Sequence, residues 1–227
     1  MVTGFYGKIP SKGDFVQRRL DRAFTNSWDD WLQGCMDSSR ARLDSDWLAK
    51  YLVSPLWRFA LPPGIFSENA IVGVIMPSVD SVGRHFPLTM GLELPPELDL
   101  FHFAINQDSW FEGLEDLALF ALEPEFSMDE FEQRLEKHAC TFSEFPAASL
   151  PPVEGRMGWL HAGENCQSLL NASYAQQLKQ SALAKFSAPS LWWTAGSETN
   201  KPAFLVYEGL PSQSEYASFL TGDWNNG

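Results

Sequence analysis

A chain of 227 residues, 44% of them apolar, is long enough to bury a sizeable core as one large domain or two small ones. Its 16 Lys and Arg against 29 Asp and Glu leave a net charge of -13, the wrong sign for partners that present phosphates, whether nucleic acid or an anionic membrane. No apolar run approaches the ~20 residues of a membrane helix, and no charged stretch leads into an apolar one at the N-terminus, so neither a span nor a secretory signal is expected.

The charge is uneven. Residues 1–90 hold ten Lys or Arg and nine Asp or Glu, and residues 91–227 hold six and twenty. From Glu93 to Glu136 there are thirteen acids and the single base Arg134. Such a belt is either a solvated helical surface or a device that steers a basic partner. Cys35, Cys140 and Cys166 have no CxxC spacing and read as free thiols of a reducing cytosol.

Residues 5–9 read as a first strand stopped by Pro10, and Ser11-Lys12-Gly13-Asp14 as a turn. Trp28, Trp31, Leu32, Cys35, Ser39 and Leu43 recur at helical spacing, which predicts a helix over 25–43 with Asp29 and Asp30 near its positive end. A second helix from Asp46 uses Trp47, Leu48, Tyr51 and Leu52 and stops at Ser54-Pro55. Leu56–Leu61 reads as a strand with Trp57, Phe59 and Leu61 on one face. Residues 70–76 are apolar on both faces, as a central strand is. Residues 86–92 form the next strand, paired with it across the loop 77–85.

A helix over 109–122 places Trp110, Phe111, Leu114, Leu117, Ala118 and Ala121 on one stripe. Ser127 and Glu130 have capping-box spacing, with Phe126 and Phe131 as a hydrophobic staple. Residues 141–165, rich in Pro and Gly, read as a long loop, and 166–184 as a helix. Segments 190–194 and 203–207 form a late hairpin, and 213–220 a last short helix. Strands occur both as neighbours and separated by helices, which predicts an α/β fold with helices layered on a mixed sheet.

The usual catalytic arrangements are missing. Gly7-Lys8 lacks the first glycine of a phosphate loop, where Val2 stands, and its hydroxyl residue, where Ile9 stands. His85, His102, His138 and His161 show no zinc spacing. Ser78, Asp80 and His85 carry triad letters without a nucleophile elbow. No cofactor is expected. Arg58, set between Trp57 and Phe59, is either at the sheet surface or buried with a carboxylate, for which Asp14 and Asp80 are the first candidates.

Two blocks place charges and backbone punctuators inside apolar runs. The first is Gly4-Phe5-Tyr6-Gly7-Lys8-Ile9-Pro10-Ser11-Lys12-Gly13-Asp14-Phe15-Val16, followed by Arg18, Arg19 and Trp28-Asp29-Asp30-Trp31-Leu32. The second comprises Ser54-Pro55-Leu56-Trp57-Arg58-Phe59-Ala60-Leu61 and then Gly73-Val74-Ile75-Met76-Pro77-Ser78-Val79-Asp80-Ser81-Val82-Gly83-Arg84-His85-Phe86-Pro87-Leu88-Thr89. Together they resemble the TagF family, also called ImpM, of bacterial type VI secretion.

The resemblance implies a three-layer α/β/α sandwich and a cytoplasmic accessory protein that represses the secretion machine after translation. It implies binding to a forkhead-associated scaffold protein of that system, with no chemistry in this chain. Some relatives carry a C-terminal phosphatase domain. Residues 1–227 leave no room for one, so a single TagF-like domain is expected.

Lys8, Asp14, Arg18, Arg58, Asp80 and Arg84 form the candidate set, either as a partner-binding surface or as a structural link between the blocks. The loop from Pro77 to His85 is expected to share a groove with residues 8–14. Two rival readings are an enzyme with a cryptic site near Asp14 and Asp80, and a self-assembling subunit of the secretion apparatus.

Overall fold

The computed structural model describes residues 1–140 and 166–224, so the loop expected over 141–165 lies outside the described residues. Seven strands form one sheet: β1 Gly4–Gly7, β2 Val16–Arg18, β3 Trp57–Leu61, β4 Ala70–Met76, β5 Leu88–Leu94, β6 Pro189–Thr194 and β7 Ala203–Glu208. Their order is β2-β1-β5-β4-β3-β6-β7, and every neighbouring pair is antiparallel. The expected mixed sheet is therefore corrected to an antiparallel one. Helices between strands usually signal parallel crossovers. Here the chain after β5 returns as β6, beside β3 and running against it.

The helices are α1 Arg22–Leu43, α2 Trp47–Leu52, α3 Leu100–Asn106, α4 Asp108–Phe120, α5 Met128–Lys137, α6 Cys166–Leu183 and α7 Tyr216–Thr221. Helix α1 starts earlier than its apolar spacing indicates, because Asp21 caps it by accepting the Ala23 N–H at 2.8 Å. Asp29 then lies two turns inside the helix and not at its positive end. It accepts the Tyr6 hydroxyl at 2.5 Å instead, tying α1 to β1. At α5, Ser127 accepts the Glu130 N–H at 3.4 Å, and the Phe126 and Phe131 rings meet with centroids 5.5 Å apart. The return half of the capping box is replaced by a bond from Arg134 to the Glu130 carboxylate.

Strand alternation divides the side chains between two cores. Ala60, Val72, Val74, Met76, Leu88, Met90 and Leu92 pack with residues of α3, α4, α5 and α6. Trp57, Phe59, Leu61, Ile71 and Ile75 pack with residues of α1, α2 and α7. The second core is the tryptophan-rich one. A buried indole N–H needs an acceptor. Trp28, Trp31, Trp47, Trp57 and Trp192 each find one, in Thr89, Pro211, Ser39, Phe219 and Ser190, at 2.8–3.1 Å. The first four of these bonds hold α1, α2 and α7 in place over the sheet, and the last lies within β6. Among the described residues no helix is long and apolar enough to cross a membrane.

Candidate functional site

Asp80 is the joint between the two sequence blocks. Its side chain is fully buried, and its Oδ2 accepts the Lys8 ammonium at 2.7 Å and the Arg84 Nε at 2.7 Å. Its Oδ1 accepts the backbone N–H groups of Val82 at 3.1 Å and Arg84 at 2.8 Å. Burial alone would raise the carboxyl pKa. The Lys8 ammonium, the Arg84 N–H and guanidinium and the Val82 N–H outweigh it and hold the group well below the usual carboxylate range. A carboxylate offers about four acceptor sites, and these donors occupy them.

The same bonds shape the second loop. The Asp80 N–H donates to Arg84 O at 3.0 Å and the Gly83 N–H to Asp80 O at 3.0 Å. Gly83 sits at a φ of 85°, in the left-handed region that suits glycine. Below this turn, Val79 bridges His85, and the Phe86 N–H reaches Ser78 O at 3.1 Å. The Tyr51 hydroxyl of α2 accepts the Ser78 N–H at 2.9 Å and donates to Ser78 O at 3.0 Å.

The first loop leans on the second through its backbone. The Ser81 N–H donates to Lys12 O at 2.9 Å, the Ser78 hydroxyl to Lys8 O at 2.7 Å, and the Arg84 guanidinium to Gly13 O. Phe15 closes the joint from outside. Its ring stacks on Tyr6 at 5.5 Å, meets Phe86 edge-on at 4.9 Å and lies 5.1 Å from the Lys8 ammonium. It nevertheless stays 45% exposed.

The candidate set divides. Lys8, Asp80 and Arg84 come together. Asp14 is exposed on the first loop, and Arg18 lies on β2 with its Nε 3.4 Å from Glu132 of α5. The expected pairing of Arg58 with Asp14 or Asp80 is incorrect. Arg58 points to the opposite face of the sheet and grips Glu115 of α4 with two bonds, at 2.7 and 2.8 Å, while Asp108 takes its Nη1 at 2.5 Å. Its guanidinium also lies 5.5 Å from the Phe111 ring. Arg58 thus holds α4 onto β3 and does not join the blocks.

Glu115 keeps some contact with water and Asp108 much more. Arg58→Ala is accordingly expected to cost about 2–3 kcal/mol, less than the ~3–5 kcal/mol of a fully buried pair. A denaturant melt measures this, and a loss under about 1 kcal/mol would make the bidentate pair a surface contact.

Ser78 and His85 do not assemble with Asp80 as a triad. The Ser78 hydroxyl is spent on Lys8 O, and the His85 ring sits edge-on against Trp47 and Tyr51. Burial, with Arg40 nearby, lowers the His85 pKa. Sequence reasoning missed Tyr51, Phe15 and Glu115. For Glu115 a signal existed: Asp108 and Glu115 are seven residues apart, which stacks them on one helix face.

Fold and site together define an α/β domain on a seven-stranded antiparallel sheet, with two charged loops locked over a buried carboxylate. Residues 4–138 match the family model described as TagF N-terminal domain, type VI secretion system-associated, and the chain belongs to that family. It is also similar to the crystal structure of PA0076 from Pseudomonas aeruginosa PAO1, solved at 2.05 Å resolution. Identity is 38%, the match covers 97% of this chain and 94% of that one, and the TM-score is 0.78. No curated protein matches the chain. The protein is therefore associated with type VI secretion.

Proposed function

We propose that this chain represses a type VI secretion system after translation, by binding the forkhead-associated scaffold protein of that system in the cytoplasm. The family supplies the secretion context. The observation that carries the binding role is the Asp80 joint, which turns the loops 8–15 and 78–86 into one preformed surface at the end of the sheet. A surface held this firmly loses little entropy on binding. The same joint argues against Asp80 as a general acid or base, because its side chain is fully buried, four donors fill its acceptor sites, and they hold its pKa well below the usual carboxylate range. The two cores on opposite faces of the sheet support a three-layer α/β/α arrangement, working as one TagF-like unit.

The experiment is a double change, Lys12→Glu with Arg84→Ala. Both side chains are exposed, and Asp80 keeps Lys8 and two backbone donors. Arg84→Glu is a poorer probe because it sets a second carboxylate against Asp80. The double variant should melt cooperatively, bind the scaffold at least tenfold more weakly and release secretion in cells. Intact binding and intact repression would place the interface elsewhere.

A further inference from the structure

The loop surface has a composition that the joint itself does not explain. Phe15 is fixed on three sides by Tyr6, Phe86 and Lys8 yet is 45% exposed, and Val82 at the tip of the second loop is 69% exposed. Neither needs to face water to hold the loops together. The bonds that do so run through Asp80, Lys12 O, Gly13 O and Lys8 O. The loops that carry these two apolar groups also carry the exposed cations Lys12 and Arg84, against one exposed carboxylate, Asp14. The Arg84 side chain is 60% exposed although its Nε is committed to Asp80. Counted whole, the loops 8–15 and 78–86 hold three cations, Lys8, Lys12 and Arg84, against two anions, Asp14 and Asp80, in a chain of net charge -13.

A rigid, half-exposed aromatic on loops that also carry Arg and Lys has the make-up of a binding hot spot. Its apolar centre is too small for a stable interface between folded surfaces, but it suits one anchor side chain of an extended segment. The surplus of positive charge favours carboxylates beside that anchor. The negative field of the rest of the chain disfavours acidic proteins that lack the anchor, which adds selectivity.

We infer that the two loops form a docking surface for an acidic segment of a partner protein carrying one aromatic or long aliphatic anchor, with Phe15 and Val82 as its apolar contacts and Lys12 and Arg84 as its ionic ones. This rests on the partner-binding reading and goes further in naming the chemistry of the bound element.

The test titrates the full chain with the forkhead-associated scaffold protein by calorimetry, using Phe15→Ser, Val82→Ser, Lys12→Glu and, as a control on β7, Phe204→Ser. Phe15→Ser and Val82→Ser should each weaken binding at least tenfold, and Phe204→Ser less than twofold. Val82 makes the decisive comparison if Phe15→Ser melts early, because so exposed a side chain contributes little to the fold. Hydrogen exchange on the scaffold should then show protection of an acidic segment containing an apolar residue. An acid-to-Lys change within that segment should restore binding to Lys12→Glu.

Wild-type affinity in both loop variants, or a protected segment that is basic, overturns the inference while leaving scaffold binding in place. Loop variants that change only the chain's own sedimentation would make a second copy the occupant and overturn it too. If the wild-type chain does not bind the scaffold at all, the proposed function fails and this inference fails with it.

Discussion

Asp80→Ala is expected to cost this protein more stability than Arg58→Ala, although both remove an ion pair. The difference lies in what is left behind. Arg58→Ala leaves Glu115, which keeps some contact with water, and Asp108, which is largely exposed. Asp80→Ala strands the Lys8 ammonium, whose side chain is only 7% exposed, and frees the two backbone N–H groups that shape the second loop. Loops 8–15 and 78–86 should lose hydrogen-exchange protection together. A melt no worse than that of Arg58→Ala would show that the joint is not the main fastening of the loops.

The joint also carries a pH signature. The folded-state pKa of Asp80 is held below its unfolded value, so its contribution is fully present above the unfolded carboxylate range of ~3.9 and disappears as pH falls through the folded value. The stability difference between the wild type and Asp80→Asn should stay constant above about pH 5 and shrink on further acidification. A difference that grew on acidification would contradict the assigned direction.

Gly7→Ala should have an effect of comparable size by a different route. Gly7 ends β1 at a φ of 139°, a backbone conformation that residues with a side chain rarely adopt. A Cβ there would lie 2.1 Å from Pro87 O and 2.8 Å from Leu88 Cα, both backbone atoms that cannot swing away. Strain and overlap together are expected to cost about 3 kcal/mol or more. The strand would have to move off β5, drawing Lys8 away from Asp80, so scaffold binding should fall along with stability. A denaturant midpoint within about 0.5 kcal/mol of wild type would mean that the strand yields easily. The second glycine of the first block is thus explained by close approach to the second block and not by phosphate binding.

Much of the fold was legible because its signals were local. The Trp28, Trp31, Leu32, Cys35 stripe, the doubly apolar run at 70–76 and the hairpin of 190–194 with 203–207 all depend on periods that a short window displays. Strand β2 was not legible. Three residues, Val16–Arg18, show no alternation, and only their pairing with Phe5, Tyr6 and Gly7 of β1 reveals the strand. Helix α3 was hidden behind Pro95-Pro96, although Asp99 accepts from the N–H groups of Phe101 and His102 as its cap.

Strand direction was misread because a helix between strands leaves open whether the next strand joins parallel or antiparallel. At the site, Lys8, Asp80 and Arg84 were legible as charges set in apolar surroundings. The partners of Arg58 were not, since they lie 50 and 57 residues away in a belt that reads as solvated surface. Part of that belt is paired with cations of the same chain. Glu115 binds Arg58, Asp99 takes Lys179 at 2.8 Å, and Glu132 and Glu136 reach Arg19.

The central claim is that the loops 8–15 and 78–86 act as one partner-binding surface fastened by Asp80. Hydrogen exchange of this chain, alone and saturated with the forkhead-associated scaffold protein, tests it most directly. Amides of both loops should gain protection in the complex, to a similar degree and at the same scaffold concentration, while the edge strand β7 stays unchanged. A saturated complex in which neither loop gains protection would contradict the claim.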